Sequence, residues 1–485
     1  MSDFGKYIAE VADFLCGYPL FFLLIGGGLF LFLSSGFVSL RRLPDSLREL
    51  RTKRAAEGGG QISSAQALAG VVAATVGLGN IAGVAIALVM GGPGAIFWMW
   101  ISALVGMATK YHEGVLAIMY KGKDDKGNAQ GGPMHIITQG LGPKWTPLAK
   151  FFAIAGLFGT LCIINANQLT EAFISTFSTP ESIESNGFLG SFGAAVGFDN
   201  ISVYKLLFGI TVAAIVSVVV LGGIRRIANV ASVMVPFMVG VYFLMVLYII
   251  ITRITDVPAV VQRIFAEAFN LQAGLGALAG IAIIGARRAA LVNDAGIGTA
   301  SIMHGASANK KPVREGLIAM LGPGIDSGLV CTLTALAILL CVPEVQDIQG
   351  VQGLSIAVTA FSRGIPYGEY LLIFICVCFA LSSMFSYSFY GSTCANYLFG
   401  SKKSRWYTYA FILSLVIFAV VPPSSAVALC DLFYAFMALP TMIAVILLSP
   451  HVRRATRQYF SSLKSESTQC DTLNQSLQEN SAENA

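Results

Sequence analysis

The sequence predicts an all-α integral membrane protein of 11 transmembrane helices: one extra N-terminal helix, then a 5+5 inverted repeat with discontinuous first and sixth core helices. Three observations predict it. The 485 residues are 55% hydrophobic and 12% charged, whereas a soluble domain carries about 25% charged residues. Apolar runs of about 20 residues recur along the chain, the length of a spanning helix and unlike the alternating segments of a β-barrel. Two of those runs carry glycine-rich interruptions at matching positions, as two halves built on one plan would.

Residues 1–17 carry acids and no basic stretch leading into an apolar core, so the first span, 18–40, is expected to be retained. A basic loop follows, with Arg41, Arg42, Arg48, Arg51, Lys53 and Arg54. The second span, 65–90, contains most of VVAATVGLGNIAGVAIALVMGG (71–92), whose middle holds Thr75, Gly77, Gly79, Asn80 and Gly83. Glycine costs about 1 kcal/mol relative to alanine inside a helix, so this cluster predicts a helix that opens. Further spans fall at 94–119, 150–176, 203–221, 227–252, 274–298, 315–341, 369–397, 406–421 and 426–448. The seventh contains the second interruption, LQAGLGALAGIAIIG (271–285). The two five-helix repeats are then 65–252 and 274–448. GLSIAVTAFSRG (353–364) is too short to span and reads as a surface helix, and the Ser-, Gln-, Asn- and Glu-rich tail, 458–485, reads as disordered.

Orientation follows from the basic residues. Most of the 31 Lys and Arg fall on one alternating set of loops: those after spans one and three, Arg225 and Arg226, the group Arg287, Arg288, Lys310, Lys311 and Arg314, Lys402 to Arg405, and the tail. That set is expected to be cytoplasmic. The N-terminus is then extracytoplasmic, the C-terminus cytoplasmic, and the protein a multi-pass resident of the plasma (inner) membrane.

Backbone opened at membrane depth is tolerated only where it lines a protected cavity. The interruptions therefore point to a solute or ion site near the bilayer midplane, between the two broken helices. The alternative is that the glycines only let helices pack closely; two matching interruptions, with Asn80 in the first, favour the open-helix reading. The net charge of +5 sits in short loops and is no nucleic-acid signal, and the nine cysteines include no CxxC pair and read as small buried hydrophobes. No P-loop, nucleophile–base pair or metal cluster appears within the spans, so neither an enzyme nor a bound cofactor is expected.

At GGPGAIFWMWISALVGMATKYHEG (91–114) the chain resembles the alanine or glycine:cation symporter family, the sodium:alanine symporters. GNIAGVA (79–85), GGPM (131–134), VLGGIRRIA (220–228), VPFM (235–238) and NDAGIGTASIMHGA (293–306) follow in family order, so the resemblance covers about 18–450. It implies a fold similar to the bacterial leucine transporter, whose first core helix also carries VGLGN, as at 76–80 here.

The resemblance implies a sodium site built from the carbonyls of Ala73, Val76 and Phe379 and the hydroxyls of Ser382 and Ser383, at the family's Ser-Thr pair. Such hard oxygen ligands suit sodium. On the residues alone, Ser382 and Ser383 read first as serines bonding within their own helix; the resemblance turns the reading to ion ligands. A zwitterionic amino acid needs N–H donors for its carboxylate, which Thr75 and the half-helix opening at Gly77, Gly79 and Asn80 would supply. Its ammonium would meet carbonyls at Gly276, Leu278 and Gly280, or a side-chain amide. Asn165 stands where the family usually has Gln, and Tyr387 where it often has Trp; both are expected to border the substrate. Asn167 reads as a pocket amide or as interhelical glue. Asp326 is either a structural acid or a proton or cation site. Asp294, in place of the family's Glu, is expected to support a cytoplasmic salt bridge with Arg287 and Arg288, and Asp431 to pair with a gate arginine. His112, His135 and His304 sit at loop edges and are assigned no role.

The function implied is secondary active symport of a small neutral amino acid of the alanine/glycine class with sodium, by alternating access, with no protein partner required. The alternatives are a proton-coupled amino-acid carrier using Asp326, or a channel or solute sensor.

Overall fold

The computed structural model describes residues 18–51, 61–177, 199–269, 275–347 and 353–483. The expected N-terminal segment, 1–17, and the acidic connection at 178–198 lie outside them. The described chain is almost entirely helical. Its helices are α1 (Tyr18–Ser34), α2 (Leu43–Arg51), α3 (Ser64–Thr75), α4 (Gly79–Gly91), α5 (Gly94–Met119), α6 (Thr146–Gly159), α7 (Ile163–Phe177), α8 (Asn200–Val220) and α9 (Gly223–Thr252). They continue as α10 (Val257–Ala268), α11 (Leu275–Val292), α12 (Thr299–Gly305), α13 (Pro312–Cys341), α14 (Gly353–Gly364), α15 (Gly368–Phe399), α16 (Ser401–Val420) and α17 (Pro423–Glu483). A small antiparallel ribbon pairs Gly122–Lys123 with Ala129–Gln130.

Among the described residues, six helices are long and apolar enough to span a membrane, and the pair α3/α4, bent by 56°, makes a seventh. The other four expected spans are also helical. They are either short, as α1, or carry charge: Lys110 and Glu113 on α5, Arg287 and Arg288 on α11, Lys402, Lys403 and Arg405 on α16. The central member is α15, 72% buried, whereas α8 and α9 are only 33% buried and turn apolar side chains outward.

Local sequence explains the ends and bends. Ser63 caps α3 by accepting from Gln66 N, and Gln66 answers through Oε1 to Ser63 N, a reciprocal capping box. Gly92, at φ +65°, and Pro93 turn the chain into α5. Two π-helical segments, Gly79–Gly83 in α4 and Gly324–Val330 in α13, abut each other through Asn80 and Asp326; such bulges concentrate at functional sites.

Four expectations change. The second helix break is not at 276–280: α11 is continuous from Leu275 to Val292, and the break is Asn293–Gly298. Glycines at 276 and 280 sit within regular helix, whereas Asp294, Gly296 and Gly298 adopt φ of +51°, +89° and +97° and end it. Arg287 and Arg288 therefore belong to α11 ahead of the break, not to a cytoplasmic loop. The helix at 353–364 is half-submerged: Leu354, Ile356, Ala357, Ala360 and Phe361 are buried, and Gly353 lies against the backbone of Ala82. Finally, α17 continues through the stretch whose composition suggests disorder.

On one side of the molecule a backbone bridge joins the two broken helices. Gln61 N donates to Ala306 O at 2.9 Å and Ala308 N to Ile62 O at 2.7 Å. Beside it, buried Glu315 accepts from Ser64 Oγ at 2.6 Å, Ser307 Oγ at 3.0 Å and Asn309 Nδ2 at 3.1 Å, and its other oxygen meets His304 Nδ1 at 2.7 Å. His304 is thus a buried, paired residue rather than a loop-edge one, and His112 is fully buried in α5.

Candidate functional site

The site begins where α3 stops. Val76 is extended (φ −73°, ψ 94°), so the ladder fails there. In an unbroken helix Gly77 N would donate to Ala73 O; instead it donates to Asn80 Oδ1 at 2.9 Å. The carbonyls of Ala73 and Ala74 turn to α15. Ser382 Oγ lies 3.1 Å from Ala73 O, and Ser383 Oγ lies 3.1 Å from Ala73 O and 3.0 Å from Ala74 O. Both hydroxyls also reach Phe379 O, at 2.9 and 3.1 Å. A hydroxyl donates only one proton, so three carbonyls and two hydroxyls share two. That oxygen-rich knot suits a hard cation. A side chain at 77 would press on Ser383 Oγ, 3.0 Å from its Cβ position, which is why glycine belongs there.

Of the expected cation ligands, Ala73, Phe379, Ser382 and Ser383 come together. The Val76 carbonyl accepts no hydrogen bond from Ser382 or Ser383; the second freed carbonyl that the hydroxyls reach is Ala74 O.

Next to the knot is a cavity of about 180 Å³. Thr75, Gly77, Gly79, Asn165, Ser383 and Tyr387 all line it. Asn80 does not. Its side chain is buried behind the wall, with Oδ1 on Gly77 N and Nδ2 donating to Asp326 Oδ1. Gly280 is not among the lining residues either, because the break expected there lies elsewhere; the surroundings of Gly276 and Leu278 fall outside the described part.

The actual second break supplies one of the cavity's two acids, Asp294, beside Asp431. Asp294 Oδ2 accepts from Tyr387 OH at 2.5 Å and from Thr299 Oγ1 at 3.3 Å, and Tyr434 OH donates to Tyr387 OH at 2.7 Å. Asp294, Tyr387 and Tyr434 all face the cavity. The expected salt bridge of Asp294 with Arg287 and Arg288 is therefore replaced by a tyrosine relay, because the left-handed backbone at 294 turns the carboxylate inward. Arg288 instead shares the cavity wall with Asp431 and interacts with it electrostatically. The signal for this was present: NDAGIG concentrates Asn, Asp and Gly, the residues that accept positive φ.

A third interruption was not anticipated. Between α6 and α7 the helix breaks at Thr160–Cys162, with Cys162 at φ +53°. It brings Cys162, Asn165 and Gln168 to the cavity. Asn167 faces the other way and donates to Val421 O at 2.5 Å and Phe418 O at 3.3 Å, so it joins α7 to the end of α16. Behind the second break, buried Glu113 accepts from Gly296 N at 2.7 Å, and fully buried Lys110 lies one turn earlier on α5.

The profile of the sodium:alanine symporter family matches residues 1–472. The chain is similar to the sodium/alanine symporter AgcS of Methanococcus maripaludis, 36% identical over 475 residues that cover 96% of this chain and 99% of that one. It is similar to the amino-acid carrier protein AlsT of Bacillus subtilis, at 32% over 465 residues (94% and 92%). It also resembles the probable sodium/glutamine symporter GlnT of the same organism, at 31% over 463 residues (95% and 91%).

Proposed function

The chain belongs to the sodium:alanine symporter family, and from that premise we propose that it carries a small neutral amino acid into the cell together with sodium, by alternating access. Cation-coupled amino-acid symport is the family's activity; sodium as the ion and the alanine/glycine class as the solute are the finer reading. The observation that carries it is the meeting of freed α3 carbonyls with Ser382 and Ser383 at the edge of the cavity.

The parts divide as follows. Sodium enters the oxygen knot and joins α3 to α15. The solute's carboxylate faces the Gly79 amide at the start of α4, which lines the cavity and has no acceptor in the described protein, whereas Asn80 N, Ile81 N and Ala82 N already donate to Gly77 O and Leu78 O. Its ammonium faces Asp294 Oδ1, which accepts no hydrogen bond from the described protein, while Tyr387 holds Oδ2. The cavity size supports a small solute: a cavity of about 150 Å³ holds benzene, which like alanine has six heavy atoms. Asn165 and Tyr387, each smaller than the family's usual residue, leave room for a slightly longer side chain. One inward charge gains about 2.3 kcal/mol per 100 mV, enough for a solute gradient near 50-fold before the sodium gradient is counted. The 11-span, leucine-transporter-like inverted repeat, N-terminus outside, is the topology in which the two broken helices occupy equivalent places.

A proton-coupled carrier is the second reading, favoured by buried Asp326, whose Oδ2 is without a hydrogen-bond partner. Uptake of a panel of D- and L-amino acids into proteoliposomes, with and without sodium, separates the two. Concentrative uptake that persists without sodium and collapses with the pH gradient alone would sink the sodium reading.

A further inference from the structure

A second polar cavity, about 460 Å³, shares no residue with the first and lies where the end of α1 meets α17. Gly36 and Phe37, at φ +67° and +60°, turn the chain sharply after α1. The turn brings Arg41 and Arg42 to the same cavity as Arg453 and Arg457 of α17, and no Asp or Glu among the described residues lines it. Arg42 is paired with Asp45 at 3.1 Å and lies over the Phe460 ring at 3.6 Å. Arg41, Arg453 and Arg457 have no ion-pair partner among the described residues. The cavity also reaches Tyr111 and His112 on α5. Tyr111 OH bonds Thr456 Oγ1 at 2.7 Å. His112 Nδ1 bonds Ala108 O at 2.7 Å, which leaves Nε2 as the acceptor of a neutral ring; that atom is buried and has no partner. Three guanidinium groups without an ion-pair partner among the described residues, a fourth whose partner Asp45 lies outside the wall, and a buried, unpartnered acceptor point to an anion that also carries a hydroxyl.

We propose that this cavity binds a phosphate ester with a free hydroxyl, the chemistry shared by an anionic phospholipid headgroup and a soluble glycerophosphate. The arginines take the phosphate oxygens, and His112 Nε2 takes the hydroxyl proton. Exposed Leu33, Phe37 and Leu40 beside the mouth offer an apolar surface for acyl chains, and basic pockets between spanning helices take such headgroups. The bound anion would tie α1 to α17, two elements at opposite ends of the chain.

The test uses the purified full-length protein in a neutral detergent, with binding followed by native mass spectrometry and thermal melting. Phosphatidylglycerol is expected to bind saturably and raise the melting temperature, and phosphatidylcholine to do neither. Arg453→Gln combined with Arg457→Gln should weaken phosphatidylglycerol binding about 30-fold, at about 1 kcal/mol per arginine. Lys402→Gln with Lys403→Gln, elsewhere on the surface, should leave it unchanged. If the double arginine variant does not fold, Arg41→Gln gives the same readout at about fivefold. Competition by glycerol 1-phosphate assigns the site to the headgroup alone, and failure to compete assigns it to the intact lipid; both support the cavity. Equal binding by the arginine and lysine variants, or no saturable binding of either probe, overturns it.

Discussion

Replacing Ser383 with alanine removes a hydroxyl that touches both freed carbonyls of α3, at 3.1 and 3.0 Å, and Phe379 O at 3.1 Å. A hydrogen bond to a charged group is worth about 1.5–3 kcal/mol, and the loss of one ion ligand falls in that range. That corresponds to a rise in half-saturating sodium of roughly 10- to 150-fold. Without the hydroxyl, however, Ala74 O also loses its donor in the sodium-free protein, which strengthens its own demand for a cation. The lower end, about tenfold, is therefore the working figure. Ser382→Ala should shift sodium dependence less, because Ser382 touches Ala73 O but not Ala74 O. Ser388 bonds only Phe385 O within α15, at 2.6 Å, so Ser388→Ala serves as the control. The assay is initial-rate uptake of labelled alanine into proteoliposomes across a sodium titration. Half-saturating sodium that does not move in Ser383→Ala, or moves as far in Ser388→Ala, refutes the assignment.

Asp294→Asn keeps the shape of the second break but removes the charge facing the ammonium; KM for the amino acid should rise about tenfold or more, and an unchanged KM would rule out contact with the solute. Glu315→Gln disturbs a fully buried carboxylate that serves His304, Ser64, Ser307 and Asn309. Breaking such a pair costs about 3–5 kcal/mol, so the purified variant should melt at a clearly lower temperature; coincident melting curves would show that the cluster is not structural. Asp199 caps α8, and its bond from the Ser202 hydroxyl holds its carboxyl below the usual range. With a depressed folded-state value, the stabilisation is present above the ordinary carboxylate pKa, about 3.9, and fades as pH falls through the folded one. The protection of the Ser202 amide relative to its intrinsic exchange rate should fall only in that acid window, and constant protection through it contradicts the cap.

The membrane class and the first break were legible because both rest on local chemistry. Apolar runs report burial in lipid, and a glycine pair beside Asn80 reports an opened helix. Ser382 and Ser383 were reachable only through resemblance, since nothing in a helical serine distinguishes an ion ligand from a residue bonding its own turn. The second break falls at Asn293–Gly298 and not at 276–280, for a physical reason. Glycine in a membrane helix serves close packing as well as opening: Gly285 sits against the backbone of Ala95, whereas positive φ is what ends α11. Asp294 was misread with it. The third break, Thr160–Cys162, follows Gly159, but that glycine packs against Met437 and Phe433, and the residue that takes the positive φ is Cys162, a type that does not mark such a turn. The basic cavity joins residues more than 400 positions apart, a pairing that only the folded chain makes.

The bridge between Ile62 and Ser307, with the Glu315 cluster beside it, has a mechanical consequence. It fastens the start of α3 to the chain just beyond α12. Parting the two broken helices on that side would break the two backbone bonds and the bonds of Ser64 and Ser307 to Glu315, each worth about 0.5–1.5 kcal/mol net. The breaks at Val76 and Asn293–Gly298 lie outside this fastening, so either half could turn there without undoing it.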